Sequence, residues 1–482
     1  MLGSTRGLSG VLCGLALVAV APLVGQSEES NERGVRPAEH SPSWHSRAEQ
    51  PDDLYAFVPV GARNLRLATP VTRGGFTSVQ VNVDANGFDI AGDAANEPSI
   101  AVDPTDPRSV VIGWRQFDSI QSNFRQAGVG HSQDAGASWM ASVIDPGVFR
   151  SDPVLGVKAD CTFLYSSLYL PSGVFTLETF PSSDGGVTWG QGVYSYGGDK
   201  QWLAVDRSAG VGADNVYVSW SIAATCCGPR AIANRSIDGG EAFEPPIGIR
   251  SRPYWGTVAV GPDGEVYVSG LTAVDRDVVV VMRSDSARDD TQVMDFGQGR
   301  IVDFGAPVRF FGSPNPAGLL DQVWLAVDET RGFRRGWVYA LAVVDPPGGD
   351  PADLHFVRSR DGGRTWSDPV RVNDDSGNAW QWFGMIEVDA NGRIHAVWND
   401  SRDDPGGVDS MLMWSTSDDG GMTWTENVAL TPSFDPHIGW PNQSKIGDYN
   451  DLMAASNGVH VAYTATFRGG QDVYHLLLPI TP

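Results

Sequence analysis

Short apolar runs recur along most of the chain and alternate with turns that are rich in Gly, Pro, Asp and Ser. Runs such as "VVIGW", "VYVSW" and "RIHAVW" have the length and the β-branched and aromatic content of short strands. The pattern therefore predicts an all-β fold that is built from many short strands.

One eight-residue pattern, Ser-x-Asp-x-Gly-x-Thr/Ser-aromatic, occurs between these strands. Its five copies begin at Ser132, Ser182, Ser236, Ser359 and Ser417. The Asp can accept hydrogen bonds from the backbone N–H groups of a tight turn, the Gly can adopt positive φ, and the aromatic ring can pack beneath the turn. We therefore expect each copy to form the turn of a β-hairpin.

The copies recur at intervals of about 50 to 58 residues, with one interval near twice that length, as expected for a repeat architecture. A degenerate copy near Ser284 and Asp285 fills the long interval. Upstream of the turns lie seven related apolar strands, which begin near Glu97, Asp152, Lys200, Tyr254, Gln322, Trp382 and Gly447. Four strands per repeat make one blade, so the sequence predicts a β-propeller of seven four-stranded blades, with six as the fallback.

The last repeat has three strand candidates before the chain ends at Pro482. The segment "FTSVQVNV", residues 76–83, precedes the first inner strand and has the composition of a strand. We expect this N-terminal strand to complete the last blade and so to close the ring. The propeller is assigned to residues 76–482.

The first 75 residues are predicted to lie outside the propeller. Arg6 precedes an apolar stretch from Leu8 to Gly25, which is typical of an export signal and is assigned to residues 1–25. Residues 26–75 are rich in Glu, Pro, Ser and Arg without sustained periodicity, which predicts a flexible spacer. We therefore expect a secreted or periplasmic monomer.

The chain has a formal net charge of −24, with 58 acidic and 34 basic residues. Such a chain repels nucleic acid and anionic membrane surfaces, and no run of Lys or Arg offers a local basic patch. No other segment is apolar enough to span a bilayer. Cys226 and Cys227 are adjacent, so they are either two loop thiols or a vicinal disulfide.

The repeated octets, together with "FRSDPVL", "GGDKQW" and "IGDYNDL", resemble the sialidase-like Asp-box (BNR) repeat propellers of the secreted bacterial type. The resemblance covers nearly all of residues 76–482. It implies a carbohydrate-active propeller, in particular an exo-sialidase-like glycoside hydrolase that acts on extracellular glycans without a cofactor.

The resemblance also implies where the chemistry lies. The inner strands of a propeller begin on one face, and ring-shaped folds usually bind ligands at this mouth. A sialidase clamps its substrate carboxylate with arginines and uses an Asp as acid/base and a Tyr as nucleophile. The implied catalytic residues are Asp152, Asp199, Asp448 and Tyr449, and the implied substrate-binding residues are Arg115, Arg150, Lys200, Arg402, Arg468 and Trp202.

Other interpretations of the same residues stay open. The early Arg-Ile-Pro motif of sialidases is replaced by "EPSIAV", which favours a non-catalytic propeller that binds a glycan or a protein. A Tyr with Arg or Lys neighbours is also compatible with a polysaccharide lyase. Arg150 and Asp152 could form a local ion pair, and Asp448 could cap a turn.

An oxygen-rich segment near the start of the propeller raises the question of a structural calcium ion. It contains Asp84, Asn86, Asp89 and Asp93. The spacing lacks the twelve-residue pattern of an EF-hand, so ordinary turn formation is the favoured interpretation.

Overall fold

The computed structural model describes residues 53–221, 225–228, 230–273 and 278–480, which form seven β-sheets arranged in a ring. The predicted signal peptide, residues 1–25, lies outside the described residues. Within the described ranges, helical structure is limited to 3₁₀ turns at Val60–Ala62 and Pro171–Gly173, and no helix has the length and apolarity to cross a membrane. The predicted all-β fold is confirmed.

Four strands precede the first blade: β1 (Asn64–Leu67), β2 (Val71–Arg73), β3 (Phe76–Gln80) and β4 (Phe88–Ala91). Strand β1 pairs with β4 in a separate two-stranded sheet. Residues 53–75 of the predicted spacer therefore include two strands, and the folded part of the chain begins before Phe76.

Six blades follow as four-stranded antiparallel meanders. The first is β5 (Ala94–Val102), β6 (Val110–Phe117), β7 (Gln126–Ser132) and β8 (Met140–Ile144); the second is β9 (Ser151–Val157), β10 (Phe163–Tyr169), β11 (Thr176–Ser182) and β12 (Val193–Tyr194); the third is β13 (Trp202–Val205), β14 (Val216–Ser219), β15 (Ala231–Ser236) and β16 (Ile247–Gly248).

The next three have the same order. The fourth blade is β17 (Val258–Val260), β18 (Val266–Leu271), β19 (Val279–Ser284) and β20 (Arg300–Val302); the fifth is β21 (Trp324–Val327), β22 (Val338–Val344), β23 (Asp353–Ser359) and β24 (Val370–Arg371); the sixth is β25 (Gln381–Val388), β26 (Ile394–Asp400), β27 (Met411–Ser417) and β28 (Val428–Ala429).

The seventh blade combines both ends of the folded chain. The C-terminal end supplies the inner strand β29 (Asp451–Ala455) and the next two strands, β30 (Gly458–Ala465) and β31 (Asp472–Leu478). Strand β3 pairs with β31, with Ser78 opposite Leu476, and β2 adds an edge strand beyond β3. Each inner strand packs against the inner strand of the next blade, and β29 packs against β5. The predicted seven-bladed ring, closed by an N-terminal strand, is confirmed.

The repeated octets form the turns between the third and fourth strands of their blades. In the first blade, Asp134 accepts hydrogen bonds from Ser132 Oγ (2.8 Å) and from the backbone N–H of Ser138 (2.9 Å). Gly136 adopts a φ of +86°, and a Cβ there would collide with the ring of His475. Trp139 is buried beneath the turn and donates to the Gly136 carbonyl.

The two adjacent cysteines, Cys226 and Cys227, form a vicinal disulfide.

Candidate functional site

Three charged residues at the starts of inner strands have an unusual backbone conformation. Glu97, Asp152 and Lys200 have φ values of 53°, 46° and 58°, in the left-handed region that non-glycine residues rarely adopt. The strand ladder shifts register around Glu97 and around Asp152, as in a β-bulge. Strained residues and bulges of this kind concentrate at functional sites.

These positions bring eight charged side chains together at the mouth of the ring. We call this group the axial cluster; it consists of Glu97, Arg115, Arg125, Asp152, Asp199, Lys200, Lys445 and Asp448. The members come from the first, second, third and seventh blades, and all are buried. The cluster thus places four carboxyl groups among four basic groups.

Ion pairs link most of the cluster into a chain. Lys200 Nζ lies 2.6 Å from Asp448 Oδ2 and 3.4 Å from Asp199 Oδ1. Lys445 Nζ lies 2.8 Å from the same Asp448 oxygen and 3.4 Å from Glu97 Oε1. Glu97 Oε2 in turn lies 3.0 Å from Arg115 Nε. Asp448 is therefore shared by two lysines.

Asp152 joins the cluster mainly through hydrogen bonds. Its Oδ2 accepts from the backbone N–H of Lys200 at 2.8 Å, and its Oδ1 accepts from Ser151 Oγ at 2.8 Å. It also lies within hydrogen-bonding reach of the Asp199 carboxyl group. Two carboxyl groups this close favour a single shared proton, because both cannot ionise without strong repulsion.

The carboxyl groups of the cluster titrate in two different ranges. Burial raises the pKa of Glu97 to about 7, against the opposing charges of Arg115 and Lys445. Burial also raises the pKa of Asp199 to about 7, although Lys200 opposes it. For Asp448, burial is outweighed by Lys200, Lys445 and Arg115, which hold its pKa well below the usual value.

Asp152 behaves like Asp448, because Lys200 and Arg115 overcome the effect of burial and lower its pKa. Near neutral pH the site therefore contains protonated and ionised carboxyl groups side by side, which is the arrangement that acid/base catalysis uses.

Tyr449 lies beneath the cluster as part of the wall. Its hydroxyl donates to the Pro153 carbonyl at 2.8 Å, and burial raises its pKa well above the usual value. Its ring packs against Trp202, with centroids 5.2 Å apart. Trp202 also packs against Trp324 and donates to Gln322 Oε1 at 2.6 Å. Within the described ranges, no carboxylate hydrogen-bonds to the Tyr449 hydroxyl.

Two long connections lie against the cluster: residues 303–323, between β20 and β21, and residues 430–450, between β28 and β29. Asn315 Nδ2 donates to the Gly447 carbonyl at 2.7 Å, and the Ala317 N–H donates to the Ser444 carbonyl at 3.0 Å. The Leu319 N–H donates to Asp448 Oδ1 at 2.8 Å. The two loops are therefore bonded to each other and to the cluster.

Three of the arginines that the sequence singled out do not join this cluster. Arg150 is buried between Tyr169 and Phe180 and pairs with Asp145 and Glu178. A local ion pair explains its position, although its partner is not Asp152.

Arg402 and Arg468 also bond elsewhere. Arg402 bonds to Asp374 and Asp400 near the start of the sixth blade. Arg468 donates to the carbonyl and hydroxyl oxygens of Thr69. Of the four arginines that the sequence proposed for substrate binding, Arg115 alone therefore belongs to the cluster.

The cluster also contains Glu97, Arg125 and Lys445, to which the sequence assigned no role. It gave no signal for Asn96 or Asn315, which hold the cluster in place: Asn96 Oδ1 accepts from Arg115 Nε at 2.8 Å, and Asn315 Oδ1 accepts from the Ile446 N–H at 3.0 Å. Both are short polar residues, so only their contacts in the folded structure distinguish them from other asparagines.

Among the described residues, one group of carboxylates is close enough together to bind a metal ion. It consists of Asp89, Asp93 and Asp472 and lies outside the axial cluster.

Known proteins resemble this chain in shape at low sequence identity. A protein of unknown function from Dyadobacter fermentans is 14% identical, with a TM-score of 0.45 over 86% of this chain and 100% of its own. A sialidase from Trypanosoma rangeli is 13% identical, with a TM-score of 0.42 over 86% of this chain and 59% of its own. An α-L-arabinofuranosidase from Fusarium graminearum is 12% identical, with a TM-score of 0.43 over 85% and 98%.

No protein-family model matches the chain, and no curated protein is significantly similar to it in sequence. The structural likenesses are too distant to assign an activity. The function has to be argued from the residues of the axial cluster.

Proposed function

We propose that this protein is a secreted, monomeric, carbohydrate-active propeller of the sialidase-like type, which hydrolyses glycosidic bonds of an acidic extracellular glycan at the axial cluster. The observation that carries the proposal is the close packing of four buried carboxyl groups beside two lysines and two arginines. Glycoside hydrolysis needs one carboxyl group as an acid and another as a carboxylate.

The Asp152–Asp199 pair is assigned as the acid/base. Its shared proton passes to the glycosidic oxygen as the bond to the anomeric carbon breaks. The Asp448 carboxylate attacks that carbon and forms a glycosyl-enzyme. A water molecule then gives a proton to the pair and displaces Asp448. Asp199 and Asp448 both contact Lys200 Nζ, so their nearest oxygens are about 6 Å apart or less, compatible with the short carboxyl separation of such retaining enzymes.

The cations of the cluster favour an acidic sugar. Arg115, Lys200 and Lys445 are buried, and a sugar carboxylate would replace part of their present bonding to Glu97 and Asp448. The substrate gains access when the 303–323 and 430–450 loops separate. Tyr449 is assigned to the wall of the site, because its hydroxyl is bonded to a backbone carbonyl.

Activity assays on the full chain test the proposal. Purified protein is incubated with fluorogenic sialosides, uronides and arabinosides and with acidic polysaccharides. Asp199→Asn is expected to lower kcat by about 10²- to 10⁴-fold, because the amide cannot donate the proton. Asp375→Asn, at a carboxylate paired with Arg371 outside the cluster, is the control and is expected to keep activity.

Failure to release sugar from any substrate, with a folded sample, would contradict hydrolysis. Unsaturated products that absorb in the ultraviolet would indicate a lyase instead.

A non-catalytic binding propeller is the second candidate. It is favoured by the ion pairs that the charged groups of the cluster make with one another and by the bonds between the two loops that lie against it. This candidate predicts measurable affinity for an acidic glycan or a protein without product formation. Turnover that disappears in Asp199→Asn would exclude it.

A further inference from the structure

A second group of buried carboxylates lies where the two ends of the folded chain meet. Asp89 is in β4, Asp93 follows β4, and Asp472 begins β31. Their side-chain oxygens lie within 4.8 Å of one another, and the three residues are at most 4% exposed. The group therefore bridges the N-terminal strands and the last strand of the ring.

Among the described residues, too few cationic side chains contact this group to pair with all three carboxyl groups. Arg66 pairs with Asp89, and in the described part of the chain it is the sole cation in ion-pair contact with the three carboxylates. The other contacts are neutral amides: Asn82 donates to Asp472 at 3.0 Å, and Gln116 donates to Asp93 at 2.9 Å. Asp93 and Asp472 thus have no cation in ion-pair contact among the described residues, and burying such carboxyl groups is costly unless they are protonated or a cation binds.

Two oxygen atoms at the group also lack a hydrogen-bond partner. Asp472 Oδ2 and Gln80 Oε1 are buried, and no donor in the described ranges reaches them. Gln80 is 2% exposed, and its Nε2 lies 2.9 Å from Asp89 Oδ1 and 3.1 Å from Asp472 Oδ1. A half-turn of the Gln80 amide exchanges its nitrogen and oxygen and places the oxygen between the two carboxylates.

These distances match the ligands of one ion. Neighbouring oxygens around calcium lie about 2.8 to 3.4 Å apart, and opposite ones about 4.6 to 5.2 Å apart, because each Ca–O bond is about 2.3 to 2.6 Å. Magnesium, with bonds of about 2.1 Å, requires a tighter octahedron. The donor set contains oxygen alone, which both hard cations prefer, and calcium accepts an irregular arrangement of such ligands whereas magnesium requires a near-ideal octahedron.

We propose that Asp89, Asp93 and Asp472, with Gln80 as a fourth ligand, bind one calcium ion that ties the N-terminal strands to β31. Asp84, which the sequence grouped with Asp89 and Asp93, serves instead in a turn, where its Oδ1 accepts from the N–H groups of Asn86 and Phe88, both at 2.8 Å. The site is independent of the axial cluster and of the proposed hydrolysis.

The test is calcium titration of the full chain after treatment with EDTA, followed by calorimetry and by thermal unfolding. One site is expected. Because calcium binds the folded state, Tm should rise by about 3 °C when free calcium is about 100-fold above Kd. Asp472→Asn and Asp93→Asn are expected to lose both the binding heat and the Tm rise. Asp375→Asn, at an arginine-paired carboxylate, should keep both.

A second measurement separates loss of the site from misfolding. Without calcium, Asp472→Asn is expected to have a Tm equal to or above that of the calcium-free parent, because one uncompensated charge is removed. Absence of binding heat and Tm shift in the folded parent would overturn the proposal, as would unchanged calcium binding in Asp472→Asn. An equal Tm rise with magnesium at the same concentration would overturn the assignment to calcium.

Discussion

At the scale of single residues, the axial cluster depends on backbone positions that most side chains avoid. Glu97, Asp152 and Lys200 all have positive φ, and such positions cost of order 1 kcal/mol or more each. The strain is offset because each of the three side chains makes an ion pair or hydrogen bond within the cluster. The strained positions are therefore part of how the site is built.

Gly447 tests this dependence. It has a φ of +101°, and a Cβ there would lie 2.8 Å from Glu97 Cγ and 3.1 Å from the Glu97 nitrogen. We expect Gly447→Ala to lower the free energy of unfolding by about 2 to 4 kcal/mol, from strain and displacement of Glu97. Gly469→Ala is the matched control, with a φ of +80° and open space around its Cβ. Equal losses of denaturant stability for both variants would contradict a specific contact with Glu97.

The raised pKa of Glu97 also predicts that the free energy of unfolding depends on pH. Its folded pKa of about 7 exceeds the ordinary value of 4.5 because burial penalises the carboxylate. The folded state therefore binds more protons than the unfolded chain between these values, and the contribution present below pH 4.5 is lost as pH rises toward 7. For a shift of this size the loss is about 3 kcal/mol.

Denaturant unfolding of Glu97→Gln between pH 4.5 and 7.5 checks the direction in which stability changes with pH. The variant should show a flatter profile than the parent over this range, whereas the exposed Glu426→Gln should leave the profile unchanged. Asp448 acts in the opposite direction, since its lowered pKa gives stability that is lost as pH falls below about 4. A parent profile that rises steadily from pH 4.5 to 7.5 would contradict the raised pKa of Glu97.

At the scale of elements, the repeated turns provide nearly matched copies of one hydrogen-bond network. Asp184 accepts from Ser182 Oγ, from the Thr188 N–H and from Thr188 Oγ1 at 2.6 Å. Asp238 makes the equivalent first two bonds, but Ala242 stands where the other turn has its hydroxyl. The two turns differ at this position by one exposed hydrogen bond.

Comparing Asp184→Ala with Asp238→Ala measures how much the hydrogen bond from the Thr188 hydroxyl to Asp184 contributes to stability. We expect Asp184→Ala to cost about 0.5 to 1.5 kcal/mol more than Asp238→Ala in denaturant unfolding, the usual net value of one hydrogen bond. Asp184→Asn should recover part of the loss, because the amide oxygen still accepts from the Thr188 N–H. If Asp238→Ala proves as costly as Asp184→Ala, the threonine hydroxyl contributes nothing to the turn.

The same elements explain which parts of the structure could be predicted from sequence. Blade number and the closing strand at Phe76 follow from local signals, because turn chemistry and strand composition are written in neighbouring residues. The axial cluster required Lys445 to meet Glu97, across almost the whole chain, and Arg402 to turn away toward Asp374. Those outcomes depend on loop paths, which single-residue chemistry does not specify.

At the scale of the whole molecule, charge is distributed unevenly. The chain has a formal net charge of −24, yet the axial cluster places four basic groups among four carboxyl groups. Under the proposed function, an acidic glycan that approaches the mouth is repelled by the surface and attracted by the buried cations only at short range. The cations at the mouth can thus select acidic groups while the molecule as a whole resists nonspecific binding of polyanions.

Closure of the ring is also a property of the whole molecule, because strand β3 covers the outer edge of β31. A chain that begins at Asp84 lacks β2 and β3 and leaves this edge unpaired, whereas a chain that begins at Arg63 retains them. Loss of the contacts of Val79 and Val81 with the seventh blade should lower Tm by about 5 °C or more and should promote association through the exposed edge.

A synthetic peptide of residues 71–83 should raise the Tm of the shorter chain again by adding the missing strand, and a scrambled peptide should not. If both truncated chains melt at the same temperature and remain monomeric, β3 is dispensable, and the contacts of β29, β30 and β31 with β5 are enough to hold the ring closed.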